Sequence, residues 1–556
     1  HTHAVGNRFT QLKIVQTGEA GIRASGSQVR RNIVDVLTRF SLENFVEDAG
    51  TYGVQIEDGA YSNYIYPGRV FNATTGGVLI SGIGTDWNYV GALGREDNPL
   101  LNLDADVLEQ TTGFGVKIEA GAQNNTIKLM GIGGLNEDAV IITGEDTDFN
   151  VLENVELGYA RNTFAEDGSI IVPSTLEEFS APIDANGIVI SGGASGNRLI
   201  DITTYQITGS GILITGAGTD ENLILSGNLR GGDVASVHIA EGASRNSIGG
   251  DDWMSESNLI LGGKFEGGVR VLIEGEGTEA NEVIGNDMGR FFGGFSIGGP
   301  PSKPYEHAET GILIRNGAQD NVVGIPGGDI EIEDPDTGQT SRFFGGNEFA
   351  IGTSLILDNV SADLGSDGEL LKPNRIQNNL FGTNGTWKAI VIRGNSMGNI
   401  IGGPTPEYGN SMRAAIPLEI VDNTIQFFGM HNRILNNVIG YDGFNNFAPG
   451  FVGYYEDFDD PCNLPPFEES DYDIAVWIRG AGSTGNIIGE SILTPNEIRS
   501  MAIGVLIDDG ATGNTVRGNL IYGNELGGVV IADGSENTIG GPAQVERNYL
   551  FDNGQA

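Results

Sequence analysis

The sequence predicts an all-β fold: a single-stranded right-handed parallel β-helix, or β-solenoid, with about three short strands per coil and a few loop insertions. Three observations carry that reading. A template G-(I/V)-x-(I/V)-x-x-G-A-x-x-N recurs along nearly the whole chain. Its asparagines return at coil-like intervals, 25 residues from Asn63 to Asn88, 25 from Asn197 to Asn222 and 23 from Asn514 to Asn537. Glycine fills 87 of 556 positions, about twice its usual globular share. A length prior alone would suggest several ordinary domains, but repetition takes precedence over it.

The clearest units are GVQIEDGAYSN (53–63), GVKIEAGAQNN (115–125) and GVLIDDGATGN (504–514). A sister form carries one more turn residue, as in GVLISGIGTDWN ending at Asn88 and GILITGAGTDEN ending at Asn222. Within each run, apolar residues alternate at period two, which is a strand signal. Gly, Asn, Asp and Ser punctuate the runs as tight turns require, and the Gly-Ala pair suits a turn at positive φ. One coil reads in full: strands at 504–507, 514–516 and 519–522, then a turn into the next coil at Gly528. One coil cannot bury its inward Ile and Val alone, whereas stacked coils bury a continuous apolar column.

The recurring asparagine precedes an inward Ile or Val and so falls at one corner of successive coils. Its amide is placed to bond the coils above and below, giving a structural ladder of Asn63, Asn88, Asn125, Asn150, Asn197, Asn222, Asn246, Asn281, Asn321, Asn399, Asn486, Asn514 and Asn537. Replacing Asn222 with Leu would then cost about 1–3 kcal/mol. The expected organisation is one continuous solenoid over 1–556, interrupted near 158–186, 291–310, 325–347 and 441–473. Long insertions in a solenoid often carry function.

The runs N-T-V-R-G-N-L-I-Y-G-N (514–524), N-I-I-G-G-P (399–404) and N-T-I-G-G-P (537–542) resemble the right-handed parallel β-helix repeat family, the pectate-lyase-like β-solenoids. The resemblance covers most of the chain and implies the fold. It leaves activity open, because the family holds lyases, hydrolases, epimerases, phage spikes and surface proteins. The motifs of its enzymes are missing. Asp-Asp pairs stand at 251–252, 459–460 and 508–509, but there is no Gly-His-Gly, no Asn-Thr-Asp, no Asp-Pro-His and no Arg-x-Pro-x-x-Arg. His238 and His431 have no partner at metal-ligand spacing. No catalytic residue is assigned.

Charge narrows the partners. Thirty basic against 74 acidic residues give −44, which repels nucleic acid and anionic polysaccharide and favours cations. No cofactor is expected. Calcium at Asp457, Asp459 and Asp460 is the one metal expectation, since hard cations want clustered carboxylates. The same insertion carries Phe451, Tyr454, Tyr455, Phe458, Phe467 and Tyr472, the kind of side chain that partner or glycan contacts use. No run approaches 18 apolar residues, so no membrane span is expected. The single cysteine, Cys462, leaves the redox compartment open. The chain opens without Met inside a repeat-like stretch and reads as a mature product or part of a longer protein.

The functional expectation is a secreted or cell-surface structural protein rather than an enzyme. It would associate head to tail with identical protomers into a filament, stalk or adhesin-like fibre, because neither terminus shows a capping helix to cover the open coil edges. The alternatives are a polysaccharide-acting lyase, hydrolase or epimerase, and a non-catalytic glycan-binding module.

Overall fold

A computed structural model describes residues 4–10, 12, 14–35, 45–67, 69–91, 106–109, 113–158, 163–164, 170–171, 182–250, 256–261, 268–288, 310–325, 330–333, 340–343, 346–349, 351–366, 369–382, 388–425, 430–440 and 473–554. The chain divides into two compact units, 1–249 with 254–272, and 250–253 with 273–556. Each is a stack of parallel β-coils.

In the first unit the template strands pair in chain order. Ile22–Ser25, Tyr52–Glu57, Gly76–Ser81, Phe114–Glu119, Val140–Thr143, Ile188–Ser191, Ile212–Thr215 and Ala235–Ala240 form one parallel run. The register is strict: Ile56, Ile80, Ile118, Ile142, Ile190, Ile214 and Ile239 stack in one inward column, each at 0 % exposure. After the asparagine corner a second column runs Ile65, Val90, Ile127, Leu152, Leu199, Ile224 and Ile248. Period-two alternation of β-branched residues builds these columns, because one residue of slip would turn the whole apolar set outward.

The second unit repeats the plan. Thr310–Arg315, Thr353–Asp358, Lys388–Arg393, Ile416–Val421, Ile474–Arg479, Ile503–Ile507 and Gly527–Ile531 pair in parallel. The coil read from sequence at 504–522 appears as strands Ile503–Ile507, Thr515–Val516 and Leu520–Tyr522. The parallel β-helix is therefore the observed fold of both units.

Two features of the template have direct steric causes. A Cβ on Gly53 would lie 2.2 Å from Val70 Cγ1 and 2.8 Å from the Gly77 carbonyl, so the strand's entry admits almost no side chain. Gly59 of the Gly-Ala turn sits at φ +81, a conformation glycine adopts at little cost. The two template lengths also complement each other. Thr85, in the longer form, accepts the Gly59 N–H of the shorter form at 3.0 Å and donates to Ser81 O at 2.9 Å. Thr147 and Thr219 serve Gly121 and Gly193 in the same way. The forms alternate because one supplies the acceptor that the other's turn needs.

Of the expected insertions, two contain short antiparallel ribbons, 163–164 with 170–171 and 330–333 with 340–343. After the first insertion the coil resumes by Ile183, which bridges Leu135 and Ile207. The insertions near 291–310 and 441–473 lie outside the described residues except for Thr310 and Asp473. A further antiparallel pair, Asp363–Leu364 with Leu370–Leu371, carries no turn signal distinct from the surrounding repeat.

Candidate functional site

Three places combine polar or exposed groups in ways a simple apolar stack does not need: the asparagine corners, the last coil, and a buried charge cluster on the outer face of the second unit.

At the first corner the amides bond one another coil by coil. In the first unit Asn63 Nδ2 donates to Asn88 Oδ1 at 3.0 Å, and the chain of bonds runs on through Asn125, Asn150, Asn197 and Asn222 to Asn246. In the second unit it runs from Asn281 through Asn321 and Asn374 to Asn399 and Asn432. Asn399 and Asn486 are not direct neighbours. The Asn432 amide turns to Ser396 O, and Asn486 is met by Asn423 before the run continues through Asn514 to Asn537. Along the first-unit run each Oδ1 from Asn88 to Asn246 also takes a backbone N–H, as Asn246 Oδ1 takes that of Asn222 at 2.9 Å; at Asn486 the Asn423 N–H goes instead to Ser483 Oγ. Both faces of the amide are thereby used, which is what allows it to be buried.

A second ladder stands at the next corner of the second unit, through Asn286, Asn347, Asn379, Asn410, Asn437, Asn496, Asn519 and Asn548. Its signal was present in N-T-V-R-G-N: two asparagines five residues apart occupy successive corners of one coil, so they belong to separate columns.

The last described coil is open. Leu550 is 49 % exposed, whereas Ile521, its register partner one coil earlier, is at 0 %. Ile531 and Ile539 are 45 % and 40 % exposed above fully buried Ile507 and Val516. At the other extreme Phe9 is 50 % exposed, Val34 half-buried and Ile65 1 % exposed along one register line.

The cluster on the outer face centres on Glu419, at 1 % exposure. Its carboxylate meets Lys388 Nζ at 2.9 Å and Arg479 Nε at 2.7 Å. The Arg479 guanidinium lies over the Trp477 ring at 4.6 Å, and Trp477 Nε1 donates to Asp508 Oδ1 at 3.3 Å. Burial pushes the Asp508 carboxyl above its ordinary range. Asp508 is thus held by Trp477, and its pair partner Asp509 occupies a left-handed turn at φ 50.

Burial, and then Glu525, push the Asp473 carboxyl up to about 6. The folded state therefore favours the neutral acid, which contributes stability at low pH that is lost as pH rises from about 4 through about 6. Asp473→Asn is expected to match the parent near pH 4 and to exceed it at pH 7.5 by about 1–2 kcal/mol, allowing for the solvent that still reaches the group. Thermal melts at the two pH values check this, and an unchanged difference between them contradicts it.

His431 Nε2 lies 3.4 Å from Glu490 Oε1, and chiefly through that hydrogen bond Glu490 is held below the usual carboxylate range. His238 Nδ1 lies 3.4 Å from Ser210 Oγ. Among the described residues no group of three or more His, Cys, Asp or Glu is placed to hold a metal. Phe451, Tyr454, Tyr455, Phe458, Phe467 and Tyr472, and the calcium candidates Asp457, Asp459 and Asp460, lie outside the described residues. Among the described residues no helix is long and apolar enough to cross a membrane.

No protein-family model matches the chain, and no curated protein matches it. Among solved structures it is similar to the crystal structure of PfbA, a surface adhesin of Streptococcus pneumoniae, at 8 % identity. That match covers 98 % of this chain and 85 % of the other, with a TM-score of 0.21. The fold assignment accordingly rests on the strand register and the ladders.

Proposed function

We propose that the protein is a structural β-solenoid of the cell surface or extracellular space that joins end to end with further copies of itself. The observation that carries this is the last described coil, whose inward residues Leu550, Ile539 and Ile531 stand half in water. An open parallel coil leaves backbone donors and acceptors without partners and its apolar column wet. A further coil laid on that face, of the same chain or of another copy, would satisfy both at once, and the proposal takes the second case.

The ladder gives the joint a direction. Each asparagine offers its Oδ1 to the coil before and its N–H groups to the coil after, as Asn197, Asn222 and Asn246 show. A face ending in Asn537 presents donors, whereas a face starting at Asn7, which donates to Asn32, presents its own Oδ1. Head-to-tail contact pairs the two. A contact of this kind is heterologous and does not close, so it propagates. The charge of −44 opposes lateral contact and leaves the apolar coil faces as the favourable ones.

The test is sedimentation across concentration, with Leu550→Glu as the interfering variant. The parent is expected to associate as concentration rises, and the variant to remain monomeric with its melting temperature little changed, since Leu550 is already half exposed. A parent that stays monomeric throughout overturns the proposal and favours the polysaccharide-acting and glycan-binding alternatives.

A further inference from the structure

Two aromatic side chains stand in solvent where the coil ordinarily places small or polar residues. Trp87 is 63 % exposed and Phe149 57 %. Each immediately precedes a ladder asparagine, Asn88 and Asn150, and each sits in the left-handed region at φ 57 and 56. The same corner position elsewhere in the first unit holds Ser62, Asn124, Gly196, Glu221 and Arg245, all at positive φ. Asn and Gly accept that conformation readily, whereas bulky rings do not; the edge of the Phe149 ring lies against Gly196 of the following coil, yet both rings remain more than half in solvent.

The two rings share one line along the coil stack. The Trp87 N–H donates to Gln123 O, and the Asn124 N–H to Asp148 O, so Trp87, Asn124 and Phe149 follow one another coil by coil. Two coil rises separate the aromatic residues, about 10 Å, roughly two sugar rings laid end to end. Just past the corner, Tyr64 and Tyr89 stack at 6.0 Å with Tyr64 45 % exposed.

We propose that this strip is a stacking site for a neutral, extended polysaccharide lying along the coil axis, with Trp87 and Phe149 under alternate sugar rings. The rings are separated by Asn124 and its neighbour Gln123, which gives alternating apolar and amide surface. That pattern matches a sugar chain, whose C–H faces and hydroxyls alternate, better than a continuous apolar protein patch. The charge nearby excludes anionic ligands. Asp86 and Asp148 flank the rings, accepting the N–H groups of Gln123 at 2.9 Å and Ser195 at 2.8 Å. No lysine or arginine occupies the corner line between Ser62 and Gly196 to bind a carboxylate or sulfate.

The experiment titrates the intact protein with neutral beta-linked oligosaccharides of glucose and of mannose, two to six rings long, by tryptophan fluorescence and calorimetry. Affinity is expected to rise about tenfold from the disaccharide to the tetrasaccharide, because only the longer chain spans both rings. Trp87→Asn and Phe149→Asn should each lower tetrasaccharide affinity about tenfold with no loss of melting temperature, since asparagine suits this corner. Phe149→Asn should leave disaccharide binding at Trp87 in place. Absence of binding at millimolar oligosaccharide, or equal binding by parent and both variants, overturns the proposal. So does polylysine binding that Trp87→Asn abolishes, which would assign the strip to a cationic partner instead.

Discussion

Replacing Asn222 with leucine is expected to lower stability by about 3–5 kcal/mol, above the roughly 1–3 kcal/mol expected from the sequence, because four hydrogen bonds rather than one are lost. Asn222 Oδ1 accepts both the backbone N–H and the Nδ2 of Asn197, at 2.9 and 3.0 Å. Its own Nδ2 donates to Asn246 Oδ1 at 3.0 Å and to Ala194 O at 3.1 Å. Leucine removes all four, and the corner is too deeply buried for water to replace them, Asn197 standing at 0 % exposure. Asn222→Asp keeps an acceptor for Asn197 and should fall between parent and Leu below pH 4, then weaken as its carboxylate ionises beside Asn246 Oδ1. Denaturant melts at two pH values read both. A loss under about 1 kcal/mol for the leucine variant would mean that the ladder orders the corner without stabilising it.

Glu419→Ala is the second large effect, expected to cost about 3–5 kcal/mol. Lys388 and Arg479 converge on one carboxylate that is almost wholly buried between Val391 and Trp477 in the strand register. Removing the carboxylate leaves two cations facing each other in a poorly solvated place, whereas removing all three charges does not. The triple change Lys388→Met, Glu419→Leu, Arg479→Met should therefore cost less than Glu419→Ala alone, apart from the lost contact of Arg479 with the Trp477 ring. Equal costs for the two would show that packing, and not charge pairing, dominates the cluster.

The fold was legible because its two strongest signals are local. Period-two Ile and Val set the inward columns, and the asparagine before them set the corner. The second ladder was legible in principle from Asn514 and Asn519, but only once the two were assigned to different corners. What the sequence hid depends on register between coils far apart in the chain. Glu419 meets Arg479 across 60 residues, and nothing near either residue marks the pair. Trp87 and Phe149 were hidden for another reason. The corner demands positive φ whatever residue fills it, and a tryptophan or phenylalanine carries no turn signal, so nothing in the sequence marks either residue and only their exposure in the folded coil does.

The most direct test of the account is electron microscopy of the purified chain over a range of concentrations, beside native material. The account predicts filaments that lengthen with concentration and grow by one repeated end-to-end joint, and it predicts that Leu550→Glu yields only single particles. Single particles from the parent at every concentration, or filaments joined side to side, would contradict it.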